Sequence, residues 1–328
     1  MKHIIVIHGR NIKPAQKPYE DLQKDALLQG FNRVDPKQAK RIKDGKVKVT
    51  FVYYGDINNE ILSRNKKDFA KLTAKDPDNG NAPCLPTTGI ADAIKTLSTL
   101  KSFSAATYRK ILKNNKDYRY LDELAWAVST FSSLISARGI NEAVIKRATA
   151  DLGAYLLTRT TGSKVRTRLQ EPLIDAFNDK DDICIVAHSM GSIVAYDVLW
   201  KLSRMSEYTH VQALKPNVKL FLTIGSPLGE AGVRGNLYDA PERGEDRYPK
   251  NIIKDWVNIS AKDDFIAHDP TLANDFRNMR TKHKYVQSIK DIKNIYNCYT
   301  QNGQSDPHKL YGYLAHDKVA AQIINWMK

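Results

Sequence analysis

The sequence predicts an α/β fold in which helices cover both faces of a doubly wound, mostly parallel sheet. Three observations support this prediction. Short runs rich in β-branched and aromatic residues recur, stretches with helical periodicity separate them, and segments rich in Gly and Pro mark the connections. The 328 residues are 42% hydrophobic and 27% charged, which is enough for a packed core. We therefore predict a single domain over residues 1–328.

The chain begins with a predicted strand. Residues 3–7 form a continuous apolar run, which is typical of a strand buried on both faces. The patterns that follow predict, in order, a helix over 19–30 that ends near Gly30, a strand over 47–54, a helix over 57–72 and a loop over 73–89.

A basic helical segment, residues 73–163, is predicted as an insertion between the second strand and the rest of the sheet. Two apolar stripes at helical spacing predict a hairpin of helices, one formed by Leu121, Leu124, Val128, Phe131 and Ile135 and the other by Val144, Ala148, Leu152 and Tyr155. A lid or cap over a site and additional core are both open interpretations of this hairpin.

The positive charge of the chain is concentrated around this insertion. Residues 63–168 hold 19 Lys and Arg against 9 Asp and Glu, and this accounts for two thirds of the net charge of +15. Such a bias favours an anionic partner, for example an anionic membrane surface, although a solvated basic surface is the simpler interpretation. Nucleic acid is a disfavoured partner because aromatic residues are sparse here and no recognition motif is present.

Strand and helix patterns resume after the insertion. They predict a helix over 164–178, strands over 183–187, 218–225 and 256–260, a helix over 190–204, two possible strands over 283–289 and 294–300, and a closing helix over 316–327.

Neither a membrane span nor a disulfide framework is expected. No apolar run is long enough to cross a bilayer, and the first residues lack the pattern of a secretory signal, so we expect a cytoplasmic protein. The three cysteines, Cys84, Cys184 and Cys298, are widely spaced, which predicts neither a disulfide framework nor a zinc site. Cys184 lies within a predicted strand, where a thiol is expected to pack rather than to react.

The segment CIVAHSMGS, residues 184–192, has the pattern of a nucleophile elbow, a sharp turn that presents a serine between a strand and a helix. The usual pattern is GxSxG, and here Ala187 occupies the first small position. Small flanking residues let the turn close, and a neighbouring base must activate the hydroxyl. Ser189 is therefore the predicted nucleophile, with a structural helix N-cap as the alternative.

Two backbone N–H groups are predicted to bind the oxyanion that such a nucleophile generates. The first belongs to Met190, directly after the serine at the start of a helix. The second is expected in a turn after an earlier strand, and the segment His8-Gly9-Arg10-Asn11 fits that position. We predict the N–H of Arg10 as this donor. An ordinary strand-ending glycine turn is the alternative interpretation.

The acid is expected after a later strand. Asp263 and Asp264 follow strand 256–260 in the segment AKDDFIAHD. Adjacent side chains point in different directions, so only one of the two can act as the acid. Asp264 is favoured because an Asp followed by x-aliphatic is the commoner register at this point. Asp263 stays as the alternative, and Asp269 is less favoured.

The base is expected last in the order Ser, Asp, His. His308 follows a loop of Gln, Asn, Gly, Ser, Asp and Pro that can deliver an imidazole to the serine, and it is the favoured residue. His316 is the alternative, although it begins the last helix, where it could face water. His268 shares the loop of the acid and His283 opens a possible strand, so both are disfavoured.

The HG after the first strand and the segments AHSMG, TIGSPLG, NISAKDDFI and PHKLYGYL together resemble the α/β-hydrolase superfamily. The similarity is greatest to the lipase and esterase branch with its cutinase-like and glycosylphosphatidylinositol-deacylase-like members, and it covers residues 1–56 and 164–328. It implies an α/β-hydrolase sheet with the helical insertion before the nucleophile strand.

The resemblance also implies a reaction, namely hydrolysis of a carboxylic ester through an acyl-enzyme, with no metal and no organic cofactor. It does not transfer a substrate, because one fold hosts many chemistries. A small-molecule or lipid ester is expected. The alternatives are a lipase or phospholipase at an anionic membrane surface and a non-catalytic binding protein on the same fold.

Overall fold

The structure is a computed structural model that describes residues 1–65, 73–76, 78, 80–114 and 150–328. Ten strands lie in these ranges: β1 (Lys2–Ile7), β2 (Lys48–Val52), β3 (Ala74–Asp76), β4 (Ala82–Cys84), β5 (Asp182–His188), β6 (Val218–Ile224), β7 (Ile253–Ala261), β8 (Ser288–Ile295), β9 (Thr300–Gln301) and β10 (Gln304–Ser305).

The helices of the described residues vary from one turn to five. They are α1 (Gln16–Val34), α2 (Pro36–Lys43), α3 (Gly55–Asn65), α4 (Thr88–Thr99), α5 (Ala105–Asn114), α6 (Ala150–Leu157), α7 (Arg159–Asn178), α8 (Met190–Arg204), α9 (Thr209–Ala213), α10 (Ala231–Arg234), α11 (Leu272–Asp275), α12 (Arg277–Thr281), α13 (Leu310–Leu314) and α14 (Asp317–Met327). Short 3₁₀ turns cover Ser206–Tyr208, Pro227–Gly229, Gly244–Asp246 and Phe265–Ala267.

Six strands form one parallel sheet in the order β2-β1-β5-β6-β7-β8. The chain adds β2 on one side of β1 and then returns to add β5 on the other side. The boundary between β1 and β5 is therefore a topological switch point, and open α/β sheets bind ligands in the crevice outside the carboxyl ends of such strands. Ile7 pairs with Ala187, so the two strands end level with each other at this crevice.

Alternate residues of the central strands face two separate hydrophobic layers. On β1, Ile4 and Val6 pack with α1, α2, α4, α13 and α14, whereas Ile5 and Ile7 face the opposite layer, which includes α6, α7 and α8. Because both faces are covered, these strands carry continuous apolar runs. The predicted α/β fold with a mostly parallel sheet flanked by helices is confirmed.

Three predicted elements were wrong in detail. Helix α1 continues past Gly30 to Val34, because this glycine is a packing position: a Cβ there would lie 2.4 Å from the carbonyl oxygen of Leu314. The predicted loop 73–89 contains the small hairpin of β3 and β4. The two possible strands at 283–289 and 294–300 are replaced by the single edge strand β8, which pairs with β7 alone.

Much of the predicted basic insertion lies outside the described residues. This applies to the first apolar stripe, Leu121 to Ile135, and to Val144 and Ala148 of the second. Leu152 and Tyr155 are described and lie buried on α6. No helix in the described part of the chain combines the length and apolarity needed to cross a membrane. All three cysteines are buried with free thiols, in line with the expectation for Cys184.

Candidate active site

Ser189 lies on the turn between β5 and α8, at the carboxyl edge of the sheet. Its backbone angles, φ 54° and ψ −128°, are unusual for a residue other than glycine and are typical of a strained elbow. The turn is tight because the helix lies against the first strand: a Cβ at Gly191 would be 2.4 Å from the carbonyl oxygen of His8. The Ser189 side chain forms no capping bond to α8, so the structure does not support the N-cap alternative.

His308 connects the serine to a carboxylate. Its Nε2 atom is 2.9 Å from Ser189 Oγ, and its Nδ1 atom is 2.9 Å and 3.0 Å from the two carboxyl oxygens of Asp264. A carboxylate can only accept, so Nδ1 carries the proton and Nε2 is the acceptor for the serine hydroxyl. The Asp264 side chain is fully buried, whereas 19% of the His308 side chain is exposed. The predicted serine, histidine and aspartate thus form one hydrogen-bonded chain.

Asp264 is held by three further hydrogen bonds. The backbone N–H groups of Ile266 and Ala267 donate to Oδ1 over 3.1 Å and 3.4 Å, so the carboxylate also caps a 3₁₀ turn. The Tyr313 hydroxyl donates to Oδ2 over 2.6 Å and accepts a bond from the N–H of Ala261 over 2.8 Å. Tyr313 lies fully buried on α13 and was not found by the sequence analysis, since no pattern marks it.

The turn after β1 is fixed by a buried histidine. His8 Nε2 accepts a bond from the N–H of Tyr54 over 3.1 Å, so Nδ1 carries the proton and donates to the carbonyl oxygen of Gly9 over 2.7 Å. Burial and the nearby ammonium of Lys13 keep the pKa of His8 well below its usual value, so the ring stays neutral. Because the Gly9–Arg10 peptide bond is planar and trans, the N–H of Arg10 points away from this bond.

The two predicted oxyanion donors belong to the residue after Ser189 and to the turn after β1. Met190 is the first residue of α8, where a backbone N–H has no acceptor within its own helix. Arg10 lines the cavity that contains the serine, and its guanidinium Nε lies 3.4 Å from Asp151 on α6. The close approach of the two turns is visible at Gly9, where a Cβ would lie 2.7 Å from Ser189 Cβ.

His188, the residue before the serine, holds the backbone of the base. Its Nε2–H donates to the carbonyl oxygen of His308 over 2.7 Å, and the two imidazole centroids are 4.8 Å apart. Burial, together with the nearby His308, lowers the pKa of His188 well below its ordinary value, so this ring is neutral. The sequence analysis gave it no role, because a histidine inside the elbow motif carries no signal of its own.

The alternative acids and bases lie elsewhere. Asp263 accepts a hydrogen bond from Tyr108 over 3.1 Å, and Asp269 accepts bonds from Thr271. His316 is the N-cap of α14 and is 1% exposed, so the expectation that it could face water was wrong. The residues that line the cavity around Ser189 do not include these three, nor His268 and His283.

A cavity of about 220 Å³ opens beside Ser189 and His308. Its wall is mixed in polarity and comes from the β1 turn, α1, α4, the 3₁₀ turn after Asp264 and α13. The apolar lining residues are Ile12, Pro14, Leu85, Ile90, Ile266 and Leu310. The cavity thus combines apolar side chains with cationic and other polar ones next to the hydrogen-bonded Ser-His-Asp chain.

Within the described ranges, no group of three His, Cys, Asp or Glu is arranged to hold a metal ion. Comparison with protein-family models gave no match, and neither a curated protein nor a solved structure matches the chain. What the site can do therefore follows from its own residues, which have the arrangement of a nucleophile, a base that faces it and an acid that orients the base.

Proposed function

We propose that this chain is a serine hydrolase of the α/β-hydrolase type that cleaves a carboxylic ester. The hydrogen-bonded chain from Ser189 through His308 to Asp264 carries the proposal, because it has the geometry that activates a serine hydroxyl. The position of the serine at the switch point of the sheet and the chain order Ser, Asp, His add further support.

The reaction begins when Ser189 Oγ attacks the ester carbonyl and His308 Nε2 takes the hydroxyl proton. Asp264 keeps the ring in the correct tautomer and stabilises its positive form. The N–H groups of Met190 and Arg10 donate to the oxyanion of the tetrahedral intermediate, and loss of one such donor slows a reaction by about 10² to 10³. The protonated His308 then gives its proton to the leaving alcohol.

Hydrolysis of the acyl-enzyme repeats these steps with water in place of the alcohol. His308 takes a proton from the water, which attacks the acyl carbon, and returns it to Ser189 as the acid leaves. The cavity of about 220 Å³ lies below the range of about 300 to 1,000 Å³ usual for drug-sized ligands. We therefore expect short acyl chains to be preferred, with p-nitrophenyl butanoate cleaved faster than the dodecanoate.

Labelling with a fluorophosphonate probe and hydrolysis of p-nitrophenyl esters test the proposal together. The folded protein is expected to react covalently at Ser189 and to lose both activities in Ser189→Ala. Ser98→Ala is the matched control, since Ser98 is an exposed helix residue whose hydroxyl bonds to its own helix. Folded protein that neither labels nor hydrolyses any ester would contradict the proposal and favour the binding protein.

A membrane-associated form of the same reaction is the second candidate. Three cationic side chains, Arg10, Lys13 and Lys309, line the cavity, and the net charge of the chain is +15. Each Lys or Arg near an anionic surface contributes about 1 kcal/mol to binding. Sedimentation with vesicles that contain phosphatidylserine is expected to carry the protein down at low salt and to release it at high salt. Absence of binding at low salt would exclude this form.

A further inference from the structure

Two tyrosine rings line the cavity beside Ser189. Tyr19 lies on α1 and Tyr311 on α13, and the residues are 3% and 2% exposed. Their ring centroids are 6.2 Å apart with the planes at 85°. Both rings are held in place, because the edge of Tyr19 contacts His8 and Tyr311 stacks on Tyr299.

The hydroxyl groups of these two tyrosines differ from those of most other buried tyrosines among the described residues. The hydroxyls of Tyr155, Tyr196 and Tyr313 each donate to a buried carboxylate. The Tyr19 and Tyr311 hydroxyls, by contrast, form no hydrogen bond with the residues that the structure describes. Neither hydroxyl oxygen is among the fully buried polar atoms that lack a partner. A buried tyrosine hydroxyl ordinarily has a partner. For these two, the cavity that they line is the route by which water or a ligand reaches the hydroxyl.

The surroundings make these hydroxyls hydrogen-bond donors at neutral pH. Burial raises the pKa of Tyr19 and of Tyr311 well above the ordinary value, so both remain protonated. The nearby lining residues Ile90 and Leu310 are apolar and buried. Against these apolar neighbours, a hydroxyl donor can orient a ligand in the cavity.

We propose that Tyr19 and Tyr311 form a specificity site for an oxygen atom of the substrate other than those of the scissile ester. This inference rests on the proposed ester hydrolysis at Ser189 and names its substrate class: esters that also carry a hydroxyl or carbonyl group close to the ester bond. An ester without that oxygen fills the cavity with hydrocarbon and leaves two phenol hydroxyls without partners. Sites built to bind a polar group discriminate strongly against analogues that lack it.

The additional oxygen can belong to the acyl part or to the alcohol part, and paired substrates separate the two. For the acyl part, kcat/KM is measured on p-nitrophenyl 3-hydroxybutanoate and p-nitrophenyl butanoate. For the alcohol part, acid release is titrated with 2-hydroxyethyl butanoate and propyl butanoate. The first pair differs by one added oxygen and the second by a hydroxyl group in place of a methyl group, both close to the ester bond.

The variants Tyr19→Phe, Tyr311→Phe and the double variant complete the experiment. Removing a hydroxyl that has no partner among the described residues leaves folding intact. Tyr208→Phe is the matched control, because the Tyr208 hydroxyl bonds to Gln170 and its ring does not line the cavity. Thermal unfolding of each variant checks that the fold is retained.

We expect the unaltered protein to prefer the oxygenated member of one pair by about tenfold or more in kcat/KM. The double variant is expected to lose this preference because its kcat/KM on the oxygenated member falls toward that on the other member, and the control is expected to keep the preference. Equal rates within both pairs, or a preference that survives in the double variant, would overturn this inference alone. Absence of any ester hydrolysis in the unaltered protein would overturn the proposed function and this inference with it.

Discussion

Substitution of Gly9 by alanine tests the link between the first turn of the sheet and the nucleophile. An alanine Cβ would lie 2.7 Å from Ser189 Cβ, 3.2 Å from Ser189 Oγ and 3.1 Å from His188 Nδ1. Gly9 is not among the residues with positive φ, so its backbone accepts alanine without strain. Any effect of Gly9→Ala therefore comes from the new contacts with the nucleophile and with the adjacent His188.

The size of the effect follows from these distances. Ordinary contacts of a Cβ begin at 3.4 Å, so Gly9 and Ser189 must separate by about 0.7 Å or more. Ser189 is not free to yield, because it occupies the strained elbow and its N–H is bonded to the carbonyl oxygen of Ile224 over 3.2 Å. A misplacement of about 1 Å can cost 10² in rate. We expect kcat/KM on p-nitrophenyl butanoate to fall by about two orders of magnitude, with a loss of about 1 to 3 kcal/mol in unfolding free energy.

Three measurements on the same samples separate these effects. Ester hydrolysis and the rate of fluorophosphonate labelling report on Ser189, and thermal unfolding reports on the fold. Gly235→Ala is the matched control, since its Cβ would meet no atom closer than 3.4 Å and its φ is not positive. If Gly9→Ala hydrolyses and labels within about threefold of the unaltered protein, the proposed apposition of the turn and the nucleophile is refuted.

Three further substitutions test the positioning of the acid, the elbow and a buried carboxyl. Tyr313→Phe removes the donor to Asp264 and the acceptor of the Ala261 N–H. Steady-state kinetics should show a lower kcat, and urea unfolding should show a free energy of unfolding lower by about 1 to 3 kcal/mol. Ser189→Gly should be inactive, yet its free energy of unfolding should exceed that of Ser189→Ala by about 1 kcal/mol because glycine accepts the positive φ. Equal melting temperatures of these two variants would contradict strain at the elbow. Burial raises the pKa of Asp197 to about 6 from 3.8, so the stability from its protonated form is complete below pH 3.8 and lost as the pH rises through about 6. As the pH rises across that range, the unaltered protein should therefore lose unfolding free energy relative to Asp197→Asn. A difference between the two proteins that does not change with pH would argue against the raised pKa.

The central strands could be predicted from the sequence because burial on both faces leaves a continuous apolar run. This holds for β1 and β5, whose observed bounds extend the predicted ones by a residue or so. Strand β8 could not be predicted in this way. It is an edge strand with one paired neighbour, and of its eight residues only Ile289 and Ile295 are buried. The prediction followed the apolar residues on either side of it instead.

The candidate site likewise contains residues that could be predicted from the sequence and residues that could not. Ser189 and its turn are marked by adjacent residues. Asp264 was favoured by the aliphatic residue two positions later and His308 by the loop before it, with Asp263 and His316 as open alternatives. Tyr313 and His188 carried no such mark. Their roles depend on contacts with Asp264 and with the backbone of His308, which are 49 and 120 residues away along the chain.

The sequence by itself determined the type of fold, the position of the elbow and the serine that the elbow presents. These features depend on local backbone preferences and on burial, both of which leave a pattern among neighbouring residues. Only the tertiary structure decided that Asp264 rather than Asp263 faces His308, and that Tyr19 and Tyr311 line the same cavity as Ser189. Such choices depend on the packing of distant elements against one another, and a packed contact leaves no period or motif in either segment.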